Sequence, residues 1–459
     1  MNLSFICDAV GAQLLTPMTT GLDLKGISID SRRVNPGELF AALTGPHFDG
    51  HDFIETAVEK GCAAVLAQRP PPTLPNVPVL LVPDVLAALG QAGNAWRRHI
   101  NPITIAVTGS SGKTTVKEMI AACLLQEFKR IHATQGNLNN HIGVPLTLLS
   151  IPVGCQAMVV EMGMSAPGEI AHLTRLAQPD IGVITNVQPA HMAAFSSIRE
   201  VAAAKGELFS NLESDGVCLL PIHDANQAVL LEMAHPRRII TFGPDPGAMV
   251  HWKTGSTNNN TEIRGAIRWQ DGASASIHLG QYGPHMILNA LAAAGAARTA
   301  GVSPCAITDG LSDFTPMAGR GLIQQIHGMT LIDDTYNANP GSMAAALATL
   351  GRRPVPERRI AILGDMLELG ETAEQLHKDL ADEILKNGVE LLITAGPLMR
   401  SLHNALLDQP GVTSLHKNDP ADWLGTISPL LRTRDAILVK GSRGMRMERI
   451  VKDLINHAV

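Results

Sequence analysis

The sequence predicts an α/β protein of three domains, and three observations carry that prediction. A β-branched run, Ile103-Thr104-Ile105-Ala106-Val107-Thr108, breaks into the glycine loop Gly109-Ser110-Ser111-Gly112-Lys113-Thr114-Thr115 and continues from Val116 to Leu125 with apolar residues at helical spacing. Apolar strand-like runs then alternate with helical stretches twice over, the pattern of parallel sheets covered by helices. A length of 459 residues suits about three domains. The expected layout is a small N-terminal α/β domain over 1–100, a central P-loop parallel-sheet domain over 101–317 and a C-terminal Rossmann-like doubly wound domain over 318–459.

Composition narrows the function. With 45% apolar and 17% charged residues the chain reads as a soluble globular protein, and a net charge of −6 argues against a broad nucleic-acid surface. No apolar stretch reaches the ~18 residues of a spanning helix, and the start, Met1-Asn2-Leu3-Ser4-Phe5-Ile6-Cys7-Asp8, lacks the basic opening of an export signal. A cytoplasmic location is expected. The six cysteines form no Cys-x-x-Cys and read as reduced core residues.

In the first domain, Ile27 to Arg33, Leu39 to Leu43 and Ala63 to Ala67 read as strands and Phe53 to Lys60 as a helix. Thr44 to Asp52 is too polar and glycine-rich for a regular element. It is either a connection or, with Ser31 and Arg32, a nucleotide or sugar contact. Prolines between Arg69 and Pro102 flank one further strand and helix.

The order strand, glycine loop, helix is how a chain cradles phosphates. Gly109 and Gly112 let backbone N–H groups approach phosphate oxygens, the helix N-terminus favours negative charge, Lys113 adds a point charge and the Thr114 hydroxyl suits Mg²⁺. Val107 stands where the strict P-loop has glycine, so this is a short Gly-x-x-Gly-Lys-Thr-Thr variant. Ala157 to Gly163 and Ile181 to Val187 read as strands buried on both faces. Ligands bind at the carboxyl ends of such strands, where Glu161 and Asn186 stand, with His191 in the following loop. Thr114, Glu161 and a nucleotide would supply most of a magnesium shell, while His191 is either a ligand or a solvated loop residue. On its residue pattern Lys205, in the helix Ser197 to Leu212, is a solvated surface charge. Residues 216–280 read as β-rich, with Thr254 to Thr261 a hairpin or exposed loop, and Asn289, on the apolar helix after Pro284, is either a reader of a base edge or a buried amide.

The last domain has strands at Met329 to Asp334, Arg359 to Asp365, Glu390 to Gly396 and Ala436 to Gly441. Three polar clusters follow them: Asp334-Thr335-Tyr336-Asn337-Ala338-Asn339-Pro340, Gly364-Asp365-Met366-Leu367-Glu368-Leu369-Gly370 and Lys440-Gly441-Ser442-Arg443-Gly444. Polar clusters at one end of one sheet point to a second substrate-binding face.

These motifs, with Gly136 to Pro145, Glu161-Met162-Gly163, Gly168-Glu169-Ile170 and Lys205-Gly206-Glu207, resemble the Mur ligase family over essentially the whole chain. The Tyr-Asn-Ala-Asn-Pro and Gly-Asp-Met-x-Glu-Leu-Gly segments are similar to those of the dipeptide-adding branch, and the Asp-Asn-Pro-Arg segment of the branch that adds diaminopimelate or lysine is missing. The resemblance implies an ATP-dependent amide ligase that joins D-alanyl-D-alanine to UDP-N-acetylmuramoyl-tripeptide through an acyl phosphate, working as a monomer. The implied partners are these two substrates, ATP and one or two Mg²⁺ ions. It implies that Ser31, Arg32, Asp49 and His51 contact the UDP end, that Asn139 and Asn140 face the nucleotide sugar, and that Gly109, Ser110, Ser111, Gly112, Lys113, Thr114 and Thr115 hold ATP. Asn289 is implied near adenine, Asp334 near ribose and Arg320 at the γ-phosphate. Thr114, Glu161, His191 and a carbamylated Lys205 would serve the metal, and Tyr336, Asn337, Asn339, Ser442 and Arg443 the incoming dipeptide. Closure of the last domain over the middle one is expected to exclude water and deliver Arg320.

Two enzyme rivals share the core, namely another step of the same family and a folylpolyglutamate synthetase-like ligase. A rival of another class is a P-loop regulatory or transport ATPase. A guanine switch wants Asn-Lys-x-Asp, and the nearest match, His416-Lys417-Asn418-Asp419, has the wrong first residue and reads as a polar loop.

Overall fold

The computed structural model describes residues 1–17, 21–189, 194–255, 262–280, 282–312, 314–354 and 358–457. The fold is three-domain α/β with a mixed or parallel sheet in each domain. The chain forms two compact units: residues 1–106, 128–180 and 211–213, and residues 107–127, 181–210 and 214–459.

The first unit opens with a five-stranded sheet in the order Gln13–Leu14, Val79–Leu81, Ala64–Ala67, Glu38–Ala41, Gly26–Ser28. The last four strands are parallel, and Gln13–Leu14 closes the edge antiparallel. Phe40, Val65, Val79, Ile54 and Ala57 form the core beneath it. The helix Val85–Ile100 starts at Asp84, whose carboxylate accepts from Ala87 N at 2.9 Å. On that helix Gly93 presses on the next one, since a Cβ there would lie 3.1 Å from the Pro145 carbonyl oxygen. Ala157–Glu161, buried at every position, pairs in parallel with Ile131–Ala133. The loop Thr44 to Asp52 is not wholly irregular: Gly50–Phe53 is a 3₁₀ turn, and Asp49 caps it by accepting from His51 N at 3.0 Å.

In the second unit the end of the strand Ile103–Thr108 runs through the glycine loop into the helix Lys113–Glu127. Its sheet continues Ile181–Ile184, Val217–Pro221, Arg238–Gly243 and Val250–Thr254 in parallel, then Arg264–Trp269 and Ser274–His278 antiparallel. The helix Gln227–Ala234 interrupts the stretch expected to be β-rich. Thr254 ends a strand that pairs with Arg264–Trp269, and residues 256–261 of the polar tract lie outside the described residues. The alanine-rich helix His285–Thr299 is buried along most of its length, the pattern of a helix inside a fold rather than on its surface.

The last sheet runs Leu322–Ile326, Met329–Asp334, Ala436–Lys440, Arg359–Gly364, Leu391–Ala395, Thr413–Lys417, parallel except for its first pair. Apolar clusters cover both faces, around Leu347, Leu363 and Leu392 on one side and Ile362, Ile393 and Ile450 on the other. His416 and Lys417 therefore end an edge strand and do not sit in a polar loop. That strand is only half-buried, which is why its residues are polar. Of the cysteines, Cys62, Cys123, Cys155 and Cys218 are buried and unpaired as expected, whereas Cys305 is exposed and Cys7 half-buried. Among the described residues no helix is long and apolar enough to cross a membrane.

Candidate active site

The phosphate loop keeps its shape through backbone room and a set of side-chain clamps. Gly109 has φ +149°, and a Cβ there would lie 1.9 Å from Thr185 Oγ1. Gly112 has φ +78°, and its Cβ would lie 2.7 Å from Asn289 Oδ1. Neither position accepts a side chain without moving a neighbour. Ser110 N donates to the Asn186 carbonyl at 3.0 Å, and Ser111 N donates to Asn186 Oδ1 at 3.1 Å. Thr185 Oγ1 donates to the Ser111 carbonyl at 2.6 Å, and Asn186 Nδ2 reaches the same oxygen at 3.1 Å. Ser110 Oγ donates to the Gln188 carbonyl at 2.9 Å, and Ser111 Oγ donates to Gln188 Oε1 at 3.1 Å. Asn186, expected at a ligand-facing strand end, thus fixes the loop itself.

Gln188 escaped the sequence reading. Its signal was the polar cluster Thr185, Asn186, Gln188 directly after a buried strand. Its side chain also packs on Gly341, where a Cβ would fall 2.5 Å from the amide, so it spans the loop and the first turn of the helix Pro340–Gly351.

Two lysines of unlike state belong to this unit. Lys113 folds back over the loop, Nζ donating to the Gly109 carbonyl at 2.7 Å. Lys205 is not the solvated charge its pattern predicts: it is buried, with 2% of its surface exposed. Burial first, and the charge of Lys113 second, push its amine well below the usual lysine range. Asn289 is buried against Gly112, its amide Nδ2 turned to Met286 Sδ at 3.7 Å. His191 lies outside the described residues.

The strand ends of the last sheet form one connected cluster. Asp333 Oδ2 accepts from Gly319 N at 2.8 Å and Oδ1 from the Thr335 hydroxyl at 2.7 Å, pinning the turn that carries Arg320. The Arg320 guanidinium lies 3.7 Å over the Tyr336 ring, and that of Arg443 5.6 Å from the same ring. Buried Lys440 donates to Asp334 Oδ2 at 2.6 Å and to the Asn337 carbonyl at 2.9 Å. Ser442, 3% exposed, accepts from Leu367 N at 2.8 Å and donates to the Ala338 carbonyl at 3.3 Å. Its hydroxyl ties three strand-end loops together. Asn339 caps the helix Pro340–Gly351 through a reciprocal pair with Ser342. Asn337 is exposed, its Oδ1 accepting from Ala338 N at 2.9 Å. Asp365 supports this cluster from beneath, accepting from Met399 N at 2.8 Å, and burial raises its carboxyl above the usual range.

In the first unit, Glu161 is 2% exposed and its Oε1 accepts from Asn139 Nδ2 at 2.8 Å. Asn140 Oδ1 accepts from Gly143 N at 2.9 Å, opening the helix Gly143–Leu149. A cavity of about 240 Å³ beside them is lined by Asn140, His141, Gly163, Glu169 and His172 among others. Farther along, Asp49 Oδ1 accepts from His51 Nδ1 at 2.7 Å while His51 Nε2 accepts from Gln68 N at 2.9 Å, so both ring nitrogens are engaged and the ring orientation is fixed. The His51 backbone N–H and the Arg69 guanidinium hold the Asp49 carboxyl well below the usual range. Ser31 is buried, and Arg32 makes a bidentate pair with Asp30 at 2.9 Å that pulls the Asp30 carboxyl down to about 2. Among the described residues no group of three or more His, Cys, Asp and Glu is gathered for a metal.

Known proteins share this architecture. Residues 23–97 match the Mur ligase family, catalytic domain, residues 107–297 the Mur ligase middle domain, and residues 320–443 the Mur ligase, glutamate ligase domain. The chain is 37% identical to the UDP-N-acetylmuramoyl-tripeptide–D-alanyl-D-alanine ligase of Bacillus subtilis, over 98% of this chain and 97% of that one. The structure of MurF from Acinetobacter baumannii superposes with a TM-score of 0.88 at 31% identity, over 99% of both chains. That of MurF from Thermotoga maritima in complex with ADP gives 0.83 at 26% identity, over 96% of this chain and 99% of that one.

Proposed function

The chain belongs to the Mur ligase family, and from that premise we propose that it is an ATP-dependent amide ligase joining D-alanyl-D-alanine to UDP-N-acetylmuramoyl-tripeptide, acting in the cytoplasm in peptidoglycan precursor synthesis. The observation that carries the reading is the loop Gly109–Thr115, held open by Thr185, Asn186 and Gln188, with Lys113 folded over it and a buried amine, Lys205, in the same unit. The likeness to dipeptide-adding relatives over the full length directs that chemistry to this substrate pair.

A carboxylate attacking a triphosphate brings two anions together. Lys113 and the N-terminal turn of the helix Lys113–Glu127 neutralise phosphate oxygens, and Arg320 adds charge at the γ-phosphate as it is transferred. The resulting acyl phosphate is attacked by the free amine of the dipeptide, giving the amide, ADP and phosphate. Arg443 and Asn337 face the acceptor, and Asn289 borders the nucleotide. Asp334, paired with Lys440, stands at the ribose side, while Ser442 and Asn339 support the acceptor face through the hydrogen bonds they already make. In the first unit Asn139 and Asn140 face the nucleotide sugar, and Ser31, Arg32, Asp49 and His51 the UDP end.

The donor chemistry fits magnesium. The Thr114 hydroxyl would hold one ion against the nucleotide, and the Glu161 carboxylate suits a second, both being hard oxygen ligands. Bound magnesium would withdraw charge from the phosphoryl oxygens. For Lys205 the depressed amine matters, because only a neutral amine adds carbon dioxide, and the carbamate so formed is an oxygen ligand.

The test is phosphate release from ATP and Mg²⁺ with UDP-N-acetylmuramoyl-tripeptide, with D-alanyl-D-alanine or single amino acids as acceptors. Release that requires the dipeptide, with a pentapeptide product by mass, is expected. Release with a single amino acid would reassign the step, and release without an acceptor would overturn the ligase reading.

A further inference from the structure

Two side chains of the same charge approach the ring of Tyr336. Arg320 stacks on it at 3.7 Å and Arg443 approaches it at 5.6 Å. Two guanidiniums brought together in water repel, whereas an aromatic ring offers a cation an attractive surface. The backbone that carries the ring is held in place: Tyr336 N donates to the Gly319 carbonyl at 2.9 Å, and Gly319, at φ +79°, leaves 3.4 Å between its missing Cβ and the Tyr336 Cβ. Asp333 fixes the same turn through Gly319 N and Gly321 N. The backbone next to Arg320 and the backbone that carries Tyr336 are thus parts of one hydrogen-bonded corner. The arginine side chain is rooted in that corner, and its head rests on the ring.

We propose that Tyr336 is a positioning residue, whose ring face holds the Arg320 guanidinium in the orientation the phosphoryl transfer needs, rather than a substrate contact made through its hydroxyl. This rests on the ligase reading above. It reassigns Tyr336 from the set of residues expected to touch the dipeptide. The ring stores the alignment before substrate arrives, so the cost of ordering the arginine is not met during turnover.

The test compares Y336L, Y336F, R320A and the double variant R320A/Y336L in the full-length enzyme with ATP, UDP-N-acetylmuramoyl-tripeptide and D-alanyl-D-alanine. Y336L is expected to lower kcat about three- to thirty-fold, the range of a cation–π contact, with ADP affinity and thermal midpoint close to wild type. Y336F keeps the ring and recovers most of that loss. In the R320A background, Y336L adds no further loss. Equal kcat for Y336L and wild type, a Y336F as slow as Y336L, losses that add in the double variant, or an R320A with wild-type kcat would each overturn the proposal. An assay-independent reading separates it from the ligase assignment: ring-current shifts on the Arg320 side-chain protons in NMR, present in wild type and Y336F and lost in Y336L. Those shifts with no dipeptide-dependent turnover in wild type would sink the ligase reading and leave the clamp standing. Their absence in wild type would sink the clamp.

Discussion

Replacing Gly109 by alanine tests how the phosphate loop is built. The new Cβ would stand 1.9 Å from Thr185 Oγ1 and 3.1 Å from the Thr185 backbone nitrogen, at φ +149°. Strain from that dihedral is about 1–2 kcal/mol, and pushing a β-branched, buried neighbour aside adds about 1–3 kcal/mol. Displacing Thr185 also breaks its 2.6 Å bond to the Ser111 carbonyl, about 1 kcal/mol more. The total, about 3–6 kcal/mol, divides between unfolding stability and nucleotide binding, because the loop relieves the clash either by loosening the strand end or by closing on the phosphate cradle. Urea denaturation and calorimetric titration of ADP with Mg²⁺ measure the two shares. If stability absorbs less than half, ADP affinity falls at least about tenfold. Adding Thr185→Ala removes the hydroxyl and should restore about 1–2 kcal/mol of the sum. A G109A variant with wild-type stability and wild-type ADP affinity would show that Thr185 does not hold the loop in this way.

Three further outcomes follow from buried polar groups. His377 is fully buried, donates from Nδ1 to the Ala373 carbonyl at 2.6 Å and accepts from Met366 N at 2.8 Å, so it is held neutral and burial lowers its pKa, against an opposing pull from Asp365. The unfolded chain then binds a proton near pH 6.5 that the folded one refuses, so stability is full above about pH 6.5 and falls as pH drops toward the folded pKa, by up to ~1.4 kcal/mol per unit. Denaturation midpoints from pH 7 to 5 should show this slope reduced in H377Q. Asp334→Asn leaves the buried Lys440 ammonium without its carboxylate and should cost about 3 kcal/mol in urea denaturation. Lys205→Arg cannot add carbon dioxide. It should lower kcat at least about a hundredfold, and the carbamate carbon signal from heavy-carbon bicarbonate should be seen by NMR in wild type alone.

The fold was largely legible because its inner strands are continuous apolar runs. Ile103–Thr108, Ala157–Glu161, Arg359–Gly364 and Ala436–Lys440 all stand where such runs stand. The edge strands Leu322–Ile326 and Thr413–Lys417 were missed because half-exposed strands carry Gln, Thr, His and Lys, which resemble loops. The loop Gly109–Thr115 was legible as a motif, but its clamps were not, since Thr185 and Gln188 meet it only in three dimensions. Lys205 was misread because Val201-Ala202-Ala203-Ala204 gives no sign of which helix face is covered, and burial alone changed its chemistry. Ser442 and Asn339 read as ligand contacts from their place at strand ends, and the hydrogen bonds both make within those loops were not legible because their partners meet them only in the fold.

In the proposed reaction the tripeptide carboxylate takes the γ-phosphate of ATP before the amide forms. This order is tested by labelling that carboxylate with heavy oxygen and running the reaction with ATP, Mg²⁺ and D-alanyl-D-alanine. One heavy oxygen atom should appear in each phosphate released, carried over when the acyl phosphate is cleaved by the amine. Phosphate free of the label, alongside an amide product, would rule out the acyl phosphate.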